Sequence, residues 1–543
     1  MGSGRRTRRG ILVALVFATG LVLCGVDRAD PDLWGHVRYG DDVLAHGALP
    51  ATATYTYTAP EQRWINHENA AEIALAFVAR EFGARGLGVL KCGLGLATIG
   101  LLVASAAGQG VGVGTTAVIA LVATLAIAPG WTFRPQLATY LAFAALLFLL
   151  ERSERGRRPG ERGRVVWLVV PLFAVWANAH GGFVAGLGAL AVHLGVRAGE
   201  SLRRDGRRAL PQVARDAAVV VAASGATLVN PYGAALPAWL VADLLPPRPE
   251  IYEWRSLGLD HPTFPVFAAL VAVILAMAWR KRGRIDPAAS AVLLATACET
   301  VLHVRHVPLF GIACGFWLVA HADALRRRSA PAPAAAPPRR LGWAVLAADV
   351  GLAALLVGHV HGPRVERDVY PVSAFRFMAK RGLVGRSVVH FDWAQYAIAA
   401  FGDAAPVAFD GRLRTCYPQE VADAYFDFLV GDRLIPRWRS PSSPPVDERR
   451  ILELGHPTLA VVARGFPHAA NVVATAPDWV LLYQDAVAQV WGRRDTFDDP
   501  ASPAYLPAYD RRITDSPQAG TVAWPALPPR RLVAHATRAG GPA

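Results

Sequence analysis

Asp30-Pro31-Asp32-Leu33-Trp34-Gly35-His36 places two carboxylates and an imidazole just after an uncharged apolar run, Gly10–Val26. A carboxylate in such a stretch can take a proton from a hydroxyl as general base. The Asp-x-Asp alternation also offers oxygen ligands to a divalent cation such as Mg or Mn. Trp64-Ile65-Asn66-His67-Glu68-Asn69 follows further along with more donors of the same kind. Arg5, Arg6, Arg8 and Arg9 precede the apolar run. If that run crosses a membrane uncleaved, the acids stand at the far surface, where ionisable groups are costly and usually functional. Asp30 and Asp32 are the acids of this stretch. Both are candidate metal ligands.

The elements that must position these groups are membrane spans. The chain has 543 residues, of which 53% are hydrophobic and 18% charged, below the roughly 25% charge of soluble domains. A net charge of +14 raises the question of nucleic acid. The arginines, however, lie in short clusters between apolar runs, the pattern of the positive-inside rule, and a nucleic-acid partner is not expected. Cys24, Cys92, Cys298 and Cys314 fall in apolar runs, leaving Cys416 alone in the polar part. Neither a disulfide framework nor a metal-type cysteine spacing is available there.

Runs able to cross ~30 Å of hydrocarbon, some only barely, occur at 10–26, 86–107, 112–129, 135–150, 165–178, 182–196, 216–230, 263–279, 287–303, 307–322 and 341–359. These predict eleven spans, with Asn178-Ala179-His180-Gly181-Gly182 breaking the fifth from the sixth. With the N-terminus cytoplasmic, every basic cluster falls on the inner side: Arg152–Arg164, Arg203–Arg208, Arg280–Arg284 and Arg326–Arg328. The Ala/Pro-rich stretch Ser329–Pro338 reads as an inner linker. Odd parity puts everything after about Gly362 outside. The first outer loop, 27–85, predicts two amphipathic interfacial helices, Leu33–His46 and Glu68–Phe82, joined by extended Thr52–Thr58.

Sorted by side, the outer loops carry the remaining chemistry: His36, His67, Glu68 and Asn69 in the first, then Arg134, then Asn178 and His180. Asn230, Glu253 and Arg255 follow, then Glu299, His303, Arg305 and His306. Inner loops offer arginine and a few acids but almost no histidine, asparagine or tryptophan. This asymmetry predicts a cavity open to the outside that binds substrate through these side chains. Glu299, inside an apolar run, needs a partner, for which Arg305 or His303 is expected. Aromatic belts and helix caps are the bland alternative for any one residue.

With these residues in view, the chain resembles the GT-C glycosyltransferases. The resemblance rests on the acidic pair after the first span, the long loop with two interfacial helices, the multi-span core and the outer C-terminal domain. More narrowly, Asp30–His36 and Trp64–Glu68 resemble a group of bacterial multi-pass membrane proteins. Arg134-Pro135-Gln136, Asn230-Pro231-Tyr232-Gly233, Arg305-His306, Phe391-Asp392-Trp393, Phe409-Asp410-Gly411-Arg412 and Asp478-Trp479 resemble the same group. The resemblance implies an α-helical polytopic bundle in the bacterial inner membrane that passes a sugar from a polyprenyl-phosphate carrier to an acceptor outside the cytoplasm. It also implies a first-loop aspartate as base, Asp32 in preference to Asp30 because it is nearer the Trp34/His36 helix start, a divalent cation as an optional cofactor, and Arg134, Arg255 and Arg305 as the cations facing the lipid phosphate, with His306 a further donor. The acceptor, a glycan, lipid or protein, stays open. A transporter or flippase of an envelope component, or a non-catalytic scaffold, are the competing readings.

The organisation expected is a transmembrane domain over 1–362, an extracytoplasmic α/β domain over 363–495 and an irregular tail over 496–543. Within the α/β domain, Ser373–Lys380 predicts a helix. Ser387–Phe391, Ala405–Phe409, Leu459–Ala463, Trp479–Tyr483 and Val487–Trp491 predict strands. Asp410-Gly411-Arg412 reads as a turn.

Overall fold

The computed structural model describes residues 2–155, 163–244, 247–281, 285–322, 360–432 and 437–529. The expected span 341–359, the linker 329–338 and Arg326–Arg328 lie outside the described residues. The helices before residue 323 are α1 (Gly2–Cys24), α2 (Leu33–His46), α3 (Asn69–Gly108), α4 (Val113–Ile127), α5 (Gln136–Glu154), α6 (Val169–Ala179), α7 (Phe183–Asp205), α8 (Leu210–Ala226), α9 (Ala235–Leu244), α10 (Phe264–Lys281), α11 (Pro287–Leu302) and α12 (Val307–Ala320). Each expected span up to residue 322 falls on one of them, and α9 is an addition. Among the described residues, α3 and the stretch Val113–Gly130 are long and apolar enough to cross a membrane alone, and four further apolar helices are shorter. The break at 178–182 is real. His180 is extended after α6, and a Cβ on Gly182 would stand 2.4 Å from Thr139 Oγ1.

The chain divides into two compact units. The first comprises Met1–Val26, Gly88–Leu240 and Ile251–His361. It is a helical bundle in which α12 packs closely on α4, because Gly311 and Gly315 leave room for Ala126 and Ala123. Small residues are how helices approach without a hydrophobic drive between them.

The second unit comprises Asp27–Leu87, Val241–Glu250 and Gly362–Ala543. The first loop, assigned from sequence to the membrane domain, therefore folds with the C-terminal segment. β1 (Arg364–Glu366) pairs antiparallel with β7 (Thr521–Ala523). A five-stranded sheet runs in the order β2 (Ser387–Val389), β3 (Leu459–Ala463), β5 (Ala488–Arg493), β4 (Trp479–Gln484), β6 (Arg512–Ile513). Helices α13 (Val372–Arg381), α14 (Ala394–Phe401), α15 (Gln419–Val430), α16 (Pro467–Ala474) and α17 (Arg494–Phe497) complete it. Two expectations are corrected. Ala405–Phe409 is not a strand but makes single bridges from Val407 to Ser387 and Thr56. The tail is not irregular throughout, since β6 and β7 lie in it.

Aromatic burial explains why the loop joins this unit. Trp34 is 1% exposed, stacks on Tyr396 at 4.6 Å, lies 4.9 Å from Tyr370 and donates to Pro525 O. Truncating a buried ring of this size costs about 3–5 kcal/mol. Tyr370 donates to Ala29 O, and Thr58 Oγ1 to Ala408 O. Gly40 lets α2 touch the backbone of α3, where a Cβ would come 2.1 Å from Glu72 O.

Candidate functional site

In the second unit the polar residues gather at the start of α2. Asp30 is buried, and its Oδ1 accepts the Asp32 N–H at 3.0 Å, closing a turn ahead of the helix. Asp32 holds the N-cap position, yet its side chain makes no capping hydrogen bond. The expected alternative, that the acids merely cap the helix, is not how Asp32 is used. One turn on, His36 Nδ1 lies 3.0 Å from Glu72 Oε1, and Asn66 Nδ2 donates to Glu72 Oε2 at 2.6 Å. Glu68 lies 3.8 Å from both His36 and His67. Burial alone would depress the His36 pKa. The hydrogen bond to Glu72 and the charges of Glu68, Glu72 and Asp32 outweigh it and hold His36 at about 9. His36 and Glu72 are thus an ion pair at neutral pH. Asn69 Nδ2 caps backward onto Asn66 O.

The donors close enough to share a cation are not the expected aspartate pair. The one group of three candidate ligands found among the described residues is His36, Glu68 and Glu72, without either aspartate.

Sequence reasoning passed over the residues facing these acids. Gln395, on α14, is 3% exposed and adjoins Gly35. Asp410-Gly411-Arg412 is a turn, as expected, but also a buried ion pair. Arg412 Nη2 reaches Asp410 Oδ2 at 2.7 Å and Thr54 O at 2.6 Å, beneath the rings of Tyr39 and Trp64. Tyr417 donates to the same Asp410 oxygen. Chain separation concealed all of this, although the glycines at 35 and 411 were visible as places of close approach.

In the first unit, Arg134 pairs with Glu253. Burial would raise the Glu253 pKa, but the charges of Arg134 and Arg305 overcome it and hold the group ionised. Arg305 lies over the Trp254 ring at 4.5 Å and makes no hydrogen bond among the described residues. His180 Nδ1 accepts from Gly182 N at 2.9 Å and lies 2.9 Å from Thr139 Oγ1, which itself accepts from Trp176. The acceptor role at Nδ1 places the ring proton on Nε2. His303 meets Trp254 O at 2.8 Å. Glu299 is paired by His306 at 3.3 Å, not by Arg305 or His303 as expected. Arg255 lies near the Tyr252 ring at 5.9 Å and accepts Val304 N through its carbonyl.

Asn178 and Asn230 have structural work. Asn178 Nδ2 donates to Ala174 O and Val229 O, and Asn230 Nδ2 to Thr227 O and Gly233 O while its Oδ1 accepts Tyr232 N. The expected one-sidedness of histidine is also corrected. At the opposite end of the same bundle His193 contacts Glu154 at 3.0 Å, and His321 Nε2 accepts Asp286 N. Both lie within the apolar runs read as spans, where a survey of loops does not count them. Lys91, likewise hidden in α3, is 2% exposed, donates to Val26 O and sits over Phe133.

No protein-family model and no curated protein matches the chain. Among solved structures, ArnT from Cupriavidus metallidurans bound to undecaprenyl phosphate is similar over 93% of this chain and 100% of its own, with TM-score 0.52 and 14% identity. The apo state of the same protein gives 0.49 at the same coverage and identity. The likeness to the complex shows the fold alone: a many-helix bundle with a small sheet-bearing part.

Proposed function

We propose that this chain is an inner-membrane glycosyltransferase that moves a hexosyl or pentosyl group from a polyprenyl-phosphate donor to an acceptor outside the cytoplasm. Asp32 is the general base. It takes the proton of the acceptor hydroxyl as that oxygen bonds the anomeric carbon. The bond from that carbon to the phosphate oxygen breaks, and the polyprenyl phosphate departs with the electron pair. Within the first unit, Arg134 and Arg305 are the cations suited to a phosphate charge, since preorganised cations stabilise such charge most effectively. Guanidinium forks suit phosphate oxygens. The ArnT complex, which shares this fold, carries undecaprenyl phosphate, and that is the support for a lipid-phosphate carrier here. No step of this proposal runs through a metal.

The observation that carries this reading is a guanidinium that spends no hydrogen-bond donor among the described residues: Arg305, beside Glu253, which it shares with Arg134. The test is transfer from a panel of radiolabelled undecaprenyl-phosphate hexoses and pentoses by the purified full-length protein, with and without chelator. Asp32→Asn is expected to lower transfer about 10²–10⁴-fold, the usual worth of a general base, with folding intact. Chelator is expected to change nothing. An Asp32→Asn protein of normal rate removes the reading.

A further inference from the structure

We infer that Trp254 is the positioning residue for Arg305, an inference that rests on Arg305 facing the donor phosphate. Trp254 closes the single turn Tyr252–Trp254, and Arg305 sits in the single turn Val304–His306. Both belong to the first unit. The two segments are knitted together. Leu257 N donates to Val301 O at 3.0 Å, and Val304 N donates to Arg255 O at 3.0 Å. His303 Nδ1 lies 2.8 Å from Trp254 O. A carbonyl only accepts, so that nitrogen carries the proton. The His303 ring also meets the indole at 5.3 Å and a steep interplanar angle of 66°. Backbone and ring of Trp254 are thus both held by the segment that carries Arg305, whose guanidinium carbon rests 4.5 Å from the indole centroid.

What this seat does follows from the shape of a guanidinium. Its five N–H groups lie in the plane, and its face carries none. An acceptor holds the group by consuming some of those donors, as Glu154 and Glu200 do for Arg197. An aromatic face attracts the cation through its quadrupole and consumes none. Arg305 makes no hydrogen bond and no ion pair among the described residues. Glu253 feels the charge of both arginines but pairs with Arg134. The indole is therefore the contact that orients Arg305, and it leaves the whole fork for a phosphate. A long side chain held this way gives up less rotamer freedom when the anion arrives. A tryptophan that served only an interfacial belt would leave transfer untouched when its face is weakened, and there the two roles part.

In the labelled-donor assay, Trp254→Met removes the face and is expected to lower kcat about 10- to 100-fold, the cost of a small misplacement of a reacting group. Donor KM should move less than kcat. Trp254→Phe keeps a weaker face and should recover most of the rate. In an Arg305→Ala background, Trp254→Met should cost nothing further. A loss of the same size in both backgrounds means that the ring only packs, and overturns the inference. Site-specific replacement of Trp254 by fluorinated tryptophans weakens the face at nearly constant shape, which keeps the test open if Trp254→Met does not fold. Transfer should fall with each added fluorine while the thermal midpoint changes little, and a constant rate overturns the inference. A stability cycle reads the contact without any donor: Trp254→Phe and Arg305→Ala should shift the midpoint non-additively, and additive shifts overturn it too. If Arg305→Ala transfers normally, the assignment of Arg305 to the phosphate has itself failed. If that variant is strongly impaired while Trp254→Met and the fluorinated proteins are fully active, only the role of Trp254 has.

Discussion

The two ends of the helical bundle in the first unit treat arginine in opposite ways. At the end where α5 finishes, Arg197 donates through Nε and Nη2 to Glu154, through Nη1 to Glu200, and pairs with Asp286. Two of the three acids there have a second duty: Glu154 takes His193, and Asp286 caps α11 by accepting Ala289 N. At the end where α5 begins, two guanidiniums share Glu253, and Arg305 rests on an indole face rather than on acceptors. One network is saturated and acidic; the other has spare cationic donors. Saturated networks tie helices together. A half-exposed arginine with unspent donors suits an anion that comes and goes, and this difference separates scaffold from candidate site better than residue type does.

The sharpest way to break the comparison is to truncate one arginine at each end. Arg305→Ala is expected to lower transfer about 10²–10³-fold, as loss of a transition-state donor does, with little change in thermal midpoint. Arg305→Lys should recover only part, since the ammonium keeps charge without the fork. Arg197→Ala should do the reverse. It strands carboxylates of limited exposure and is expected to cost about 2–4 kcal/mol, seen as a lower midpoint, while the protein that remains folded transfers at the normal rate. Equal activity losses at both ends would dissolve the distinction.

Much of this was legible in the sequence where a single segment carries its own signal. The α2 helix has the bounds its amphipathic period predicts, and β3 has those of its apolar run. The break between α6 and α7 follows from Asn178–Gly182. What could not be read was partnership across the chain. Glu72 was overlooked because its role comes from His36, on another helix. Gln395 and Arg412 were overlooked because Gly35 and Tyr39 are what they touch. The one-sided histidine pattern misled for a related reason. His193 and His321 sit in apolar runs, and only the bundle shows that they point at Glu154 and at the N-terminus of α11.

The same contrast between satisfied and unsatisfied groups recurs in the second unit as two buried histidines, and pH separates them. His36, paired with Glu72, keeps its proton up to about pH 9 when folded but only to about 6.5 unfolded. Its stabilisation is therefore fully present below pH 6.5 and drains away as pH rises to 9, an alkaline loss of roughly 2–3 kcal/mol. Glu72→Gln should flatten that limb of a midpoint-against-pH curve.

His390 is the reverse. Both ring nitrogens are buried without a hydrogen-bond partner among the described residues, packed against Trp393 and Phe466, and burial pulls its pKa down. The folded state holds it neutral while the unfolded chain takes up a proton near 6.5, so stability is present above that pH and falls as pH drops. His390→Phe keeps the aromatic packing and has nothing to protonate. The expected result is a small rise in midpoint near pH 5 and none at pH 8, because only the acid limb depends on this ring. An unchanged acid limb in that variant would mean that the carboxylates, not His390, set it.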